Sequence, residues 1–144
     1  AEPPEPIQTY AETDPVRVEY NRWHTLSERV AAAGMLMGTG VIVALLSAVM
    51  NNLPGVLIGT LAVAATGAAG AIGEGMVMAT VIGADIGPKL TPIGSLATLM
   101  WLHIIEGRGL TVTWGRYLRT ALVITPPVLL ATLAALWAAL LLLS

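Results

Sequence analysis

The chain contains no cysteine, which excludes a disulfide, a thiolate metal site and a nucleophilic thiol. Charge is scarce as well: 11% of residues are Asp, Glu, Lys or Arg, against about 25% in a soluble domain. No metal-ligand cluster is present by spacing, and no Ser/His/Asp arrangement survives placement in an apolar body. Enzymatic chemistry, a cofactor and a nucleic-acid partner are therefore not expected. The opening Ala1-Glu-Pro-Pro-Glu-Pro6 lacks the basic start and apolar run of a signal peptide. With no initial Met, the chain reads as a processed or excised piece, and it shows no internal repeat.

What is present is apolar, with 56% hydrophobic residues and a mean hydropathy of +0.77. The charges it does have are unevenly placed. Residues 1–32 hold three Arg and six acidic residues. Beyond them come only Glu74, Asp85, Lys89, Glu106, Arg108, Arg116 and Arg119. A polar head, residues 1–32, thus precedes an integral membrane body, residues 33–144, surrounded by lipid. Residues 1–18, rich in Pro, Glu and Thr, bury too little apolar surface to offset their ordering entropy and read as an extended or disordered tail. Residues 20–32 read as a short helix, with Thr25 and Glu28 as a capping box and Tyr20 and Trp23 at headgroup level. A surface linker helix is the plainer reading of the same residues.

In the body, the apolar run Gly34–Met50 stops at Asn51-Asn52-Leu53-Pro54, and Pro54 suits the first position of a new helix ending near Thr66. Each arm is shorter than the roughly 20 residues a crossing needs. Residues 33–67 therefore read as a re-entrant hairpin with a polar tip, or else as two adjacent spanning helices with a tight turn. Thr66–Gly75, full of Gly and Ala, reads as a flexible connection. The apolar runs Met76–Ile82 and Ser95–Ile105 flank Gly83–Ser95, where Pro88 and Pro92 each remove a donor and crowd the preceding turn. Broken backbone at membrane depth is tolerated only where it is buried in protein or lines a wet cavity. Residues 75–106 thus read as one broken helix with an unwound centre. Residues 120–143 form the uninterrupted transmembrane helix, kinked but not ended by Pro126-Pro127. The loop 106–119, with three Arg against one Glu, points to the cytoplasm. Three Arg in the head pull the other way, so orientation stays open.

The fold expected is all-α and integral to the membrane, with two breaks at comparable depth. Such breaks place carrier sites near the bilayer midplane. Asn51 and Asn52 offer donors and acceptors, Thr91 and Ser95 hydroxyls, and Gly94 an open backbone, so these five are the candidate solute-binding residues. Gly83, Gly87, Pro88, Lys89 and Pro92 shape the unwound stretch. The plainer alternative, that Asn51, Asn52 and Ser95 merely cap broken helices, suits one break better than two. Asp85, the carboxylate deep in the apolar body, is either a proton-coupling group or half of a structural pair with Lys89. Glu74 and His103 fall nearer the interfaces. The six Met suit packing better than soft-metal ligation. Gly83-x-x-x-Gly87-x-Lys89 imitates a phosphate loop but is one residue short and lacks the following Ser or Thr.

Four stretches carry a family resemblance: Thr39-Gly40, Met50-Asn-Asn-Leu-Pro54, Val81–Thr98, and Trp101-Leu-His103. Together with Trp114-Gly115, Tyr117 and Arg119, they closely resemble the arsenite/antimonite efflux permeases of the ion-transporter superfamily. The resemblance covers residues 34–144, and residues 1–32 lie outside it. It implies half of an inverted-repeat carrier in the inner (plasma) membrane. Such a carrier exports arsenite and antimonite as neutral hydroxides, in exchange for protons. Some members also associate with a soluble metalloid-stimulated ATPase. Many members have Cys where this chain has Ala84, so a thiol there is dispensable. The N-terminal repeat that the resemblance implies is absent from these residues, so the chain reads as a fragment, one part of a split carrier that needs its partner half, or a truncated relic. Alternatives are a superfamily carrier for a carboxylate or sodium, or a membrane subunit that transports nothing itself.

Overall fold

A computed structural model describes residues 14–143. The tail expected over residues 1–13 lies outside the described residues. Five α-helices follow one another: α1 (Pro15–Met50), α2 (Asn52–Thr66), α3 (Gly70–Ile86), α4 (Leu96–Glu106) and α5 (Trp114–Leu143). Two short 3-10 turns, Gly87–Leu90 and Pro92–Gly94, separate α3 from α4. No strand occurs among the described residues. The chain divides into two compact units, residues 1–33 and 34–144.

In the first unit, α1 begins earlier than the sequence suggested. Asp14 accepts a hydrogen bond from the Val16 N–H at 2.9 Å through its carboxylate, and its carbonyl accepts from Val18 at 3.0 Å. Pro15 occupies the first helical position, where a missing N–H costs nothing. Thr25 is interior, its hydroxyl donating to the Asn21 and Arg22 carbonyls at 2.7 and 3.0 Å. The expected capping box at Thr25 and Glu28 is therefore corrected: the Asp-Pro pair upstream is the stronger start signal. The expectation of disorder is corrected likewise for Pro15–Val18.

In the second unit, α1, α3 and α5 enclose the core of Leu36, Ala44, Ala79, Leu129 and Leu133. Ile82, Ile86, Trp137 and Leu140 pack around it. Close approach depends on missing side chains. A Cβ on Gly83 would lie 2.3 Å from the Gly40 carbonyl oxygen, and one on Gly87 2.2 Å from that of Ala44. The backbones of α1 and α3 therefore touch directly. On α2, a Cβ at Gly59 would strike Thr80 and Val43 at 2.5 and 2.8 Å. The outside is apolar: Ile42, Leu45, Val49, Leu57, Leu61, Leu122 and Val123 are all exposed. At about 1.5 Å per residue, the 30 residues of α5 exceed a hydrocarbon core of about 30 Å, whereas the 15 of α2 and 11 of α4 fall short. Among the described residues, α1 and α5 are long and apolar enough to cross a membrane.

Several boundaries depart from expectation. The Gly/Ala connection is confined to residues 67–69, and α3 already starts at Gly70. The helix before the break runs on through Gly83, Ala84 and Asp85 to Ile86. Gly83 serves packing and does not interrupt the helix. The break begins only where Pro88 denies its N–H to the preceding turn. α5 starts at Trp114, before the expected Thr120, and continues through Pro126 and Pro127.

Candidate functional site

The tip between α1 and α2 turns on a single residue. Asn51 adopts φ 77°, ψ 164°, and is the one non-glycine residue with positive φ among those described. That region is almost reserved for glycine and costs on the order of 1–3 kcal/mol for other residues. Part of the cost is offset locally, because its Oδ1 accepts from the Asn52 N–H at 2.7 Å. Pro54 is third in α2, after Asn52 and Leu53, not first as expected. It still falls in the first turn, where no in-helix acceptor exists for its absent N–H.

The second break is built from residues 87–95. Lys89 Nζ donates to the Asp85 carbonyl at 2.6 Å and lies 3.8 Å from the Asp85 carboxylate. Both side chains are largely exposed, 60% for Lys89 and 77% for Asp85. Thr91 is extended, as Pro92 requires of the residue before it. Its hydroxyl donates to the Ala48 carbonyl and accepts from the Gly94 N–H at 3.0 Å. The Tyr117 hydroxyl, from the first turn of α5, donates to the Lys89 carbonyl at 3.1 Å. Ser95, also extended, precedes α4 without capping it through its side chain.

The two breaks meet in one cleft of about 450 Å³. Asn51, Asn52, Asp85, Pro88, Lys89 and Ser95 line it, with Leu96, Ala97 and Thr98 from the first turn of α4. The N–H groups of such a turn have no in-helix acceptors and present donors and a positive helix end. The cleft therefore offers two amides, two hydroxyls, backbone donors, one carboxylate and one ammonium. That set suits a small solute bearing several oxygens.

The remaining predicted site residues lie elsewhere. Thr91 and Gly94 do not line the cleft. A Cβ on Gly94 would meet the Pro88 and Ala48 carbonyl oxygens at 2.7 and 2.9 Å, so this position is backbone packing. Gly83, Gly87 and Pro92 are buried behind the cleft wall. Sequence alone does not tie Tyr117 to this region, because no local pattern connects it to a carbonyl 28 residues upstream.

Residues 24–140 match the arsenical pump membrane protein family. The chain belongs to that family. It is 58% identical over 100 residues to an arsenical pump membrane protein of Escherichia coli, and 55% identical over 100 residues to one of strain K12. It is 34% identical over 99 residues to a putative arsenical pump membrane protein of Bacillus subtilis strain 168. Each match takes in 69% of this chain but only 22–23% of the relative. The chain thus spans less than a quarter of the length of these curated relatives. No solved structure matches it. As an arsenical pump family member, it is a membrane protein, and its apolar exterior is the surface that membership calls for. The family match also begins before residue 34, so residues 24–32 belong to the shared sequence, contrary to the expectation that the head stands outside it.

Proposed function

We propose that this chain is the C-terminal part of an inner-membrane carrier that exports trivalent arsenic and antimony hydroxides in exchange for protons. What supports it is the convergence of Asn51, Asn52, Ser95 and the first turn of α4 on one cleft, in a chain of the arsenical pump family. Arsenous acid is neutral near pH 7, so its capture rests on hydrogen bonds to its hydroxyls. The amides can donate and accept, and the α4 N–H groups donate. In this reading residues 33–67 form a re-entrant hairpin and residues 70–106 one broken helix, an arrangement that brings both tips to the middle of the bilayer. An inverted N-terminal repeat, in the same polypeptide or a partner half, supplies the opposite wall. A soluble metalloid-stimulated ATPase is a further candidate partner.

Asp85 is the coupling group in this reading. It is the carboxylate of the cleft, and protonation there cancels the charge opposite Lys89. The test is arsenite uptake into everted membrane vesicles from cells expressing the carrier that contains this chain. Uptake should follow an imposed proton gradient, and Asn52→Ala should raise the arsenite concentration for half-maximal uptake by about tenfold, as expected for one or two lost hydrogen bonds. Asp85→Asn should leave arsenite binding in place but uncouple uptake from the gradient. Gradient-driven uptake by Asp85→Asn at the native rate would remove Asp85 from the mechanism.

A further inference from the structure

We infer that Thr91 and Tyr117 are positioning residues: their two hydroxyls pin the broken wall of the cleft to α1 and α5 and contact no solute. The starting point is an unfilled acceptor. The last four carbonyls of a helix have no donor within it. At the end of α1, the Ser47 carbonyl accepts from the Asn51 N–H at 3.1 Å. The Ala48 carbonyl would ordinarily take the Asn52 N–H, but that group is turned to the Asn51 side chain. The Thr91 hydroxyl supplies the missing donor, from 43 residues away in sequence.

The same hydroxyl then accepts from the Gly94 N–H, which closes the second 3-10 turn. One oxygen therefore ties the end of α1 to the segment leading into Ser95 and α4. The backbone of Thr91 is fixed for this by Pro92, whose ring is fully buried. Two residues before it, Lys89 is held through its carbonyl by Tyr117. The stretch 89–91 is thus fastened on one side to α1 and on the other to α5. Neither hydroxyl lines the cleft, yet Lys89 and Ser95, on either side of Thr91, both do.

The consequence for solute capture rests on the transport reading above. The pin itself does not, and two measurements separate them. The chain lacks cysteine, so Ala97→Cys places a single thiol of this chain on the exposed first turn of α4 beside the cleft. In the carrier containing this chain, a maleimide should label that thiol faster when Thr91→Val or Tyr117→Phe is added. Thr91→Ser should restore the slow rate. In vesicles without the added thiol, Thr91→Val and Tyr117→Phe should each raise the arsenite concentration for half-maximal uptake by about fivefold, the equilibrium factor of one hydrogen bond. Again Thr91→Ser should recover native behaviour. Unchanged labelling in both variants overturns the inference, as does a Thr91→Ser variant as fast as Thr91→Val. Weakened uptake with unchanged labelling would make Thr91 a solute contact, which also overturns it. If the native carrier moves no arsenite, the transport reading fails while the labelling rates still decide the pin.

Discussion

Substituting Gly87 by Ala tests the packing that carries the cleft. The added Cβ would sit 2.2 Å from the Ala44 carbonyl oxygen and 2.5 Å from the Ala44 Cα. Both are backbone atoms of a helix and cannot rotate aside. Reaching an ordinary separation of about 3.5 Å requires α1 and the first 3-10 turn to part by about 1 Å. Overpacking of this kind costs about 1–3 kcal/mol. The Thr91–Ala48 hydrogen bond lies one helical turn further along α1 and would stretch with the same movement. Its loss adds about 1 kcal/mol, so the total is about 2–4 kcal/mol. In the purified carrier, that should lower the thermal midpoint by roughly 2–4 °C, followed by loss of the folded peak on heating in detergent. Gly38→Ala is the control, because its Cβ meets nothing within 4 Å. Removing a glycine from a helix interior there should be neutral or stabilising by up to about 1 kcal/mol. If Gly87→Ala melts with Gly38→Ala, the direct backbone contact between α1 and the turn after α3 is wrong.

Asn51→Gly should raise the thermal midpoint, since glycine adopts φ 77° freely and the strain released, about 1 kcal/mol or more, exceeds the few tenths lost at the cap. The same variant should weaken arsenite uptake in vesicles because it removes an amide from the cleft, whereas Asn51→Ala should lose on both counts. Ser47→Ala should be neutral or stabilising by about 1 kcal/mol. The Ser47 hydroxyl is fully buried, has no hydrogen-bond partner and faces Gly55, whose Cβ would lie 1.8 Å away. A fall in midpoint would show that the hydroxyl has a partner after all. Asp14→Ala should cost about 1 kcal/mol locally, seen as faster hydrogen exchange at Val16 and Val18 with uptake unchanged.

The breaks in the helices were legible because their causes are local. Asn51-Asn52-Leu53-Pro54 cannot continue an apolar helix, and Pro88 and Pro92 cannot donate, whatever surrounds them. Boundaries governed by long-range packing were not legible. Gly83 reads as a helix breaker in isolation, but its missing Cβ is used against the Gly40 carbonyl, and the helix continues through it. Thr91 reads as a polar group in search of a solute, and only the fold shows its hydroxyl committed to Ala48. Tyr117 reads as an interfacial aromatic for the same reason. The exposed pair Asp85 and Lys89 is the reverse case. The sequence places Asp85 deep in the apolar body, yet within these residues both side chains are largely exposed.

That distribution of contacts separates what is rigid from what can move. α1 meets α3 backbone to backbone at Gly40 and Gly83, and meets the first 3-10 turn at Ala44 and Gly87, with Leu129 and Leu133 of α5 closing the core. Separating them exposes carbonyls and breaks many dispersion contacts at once. The segment 88–95 buries Pro88, Pro92 and Gly94, and its side-chain hydrogen bonds to α1 and α5 come from Thr91 and Tyr117. Each is worth about 1 kcal/mol net, so releasing both shifts a local equilibrium by about thirtyfold without disturbing the core. A carrier that binds and releases its solute in every cycle needs a wall whose attachment is of that order. Much stronger attachment would freeze the cleft, and none would leave Ser95 and the α4 N–H groups without a defined position. The two hydroxyls therefore mark the place where motion in this half of the cleft should begin, and the labelling rates of Ala97→Cys measure it directly.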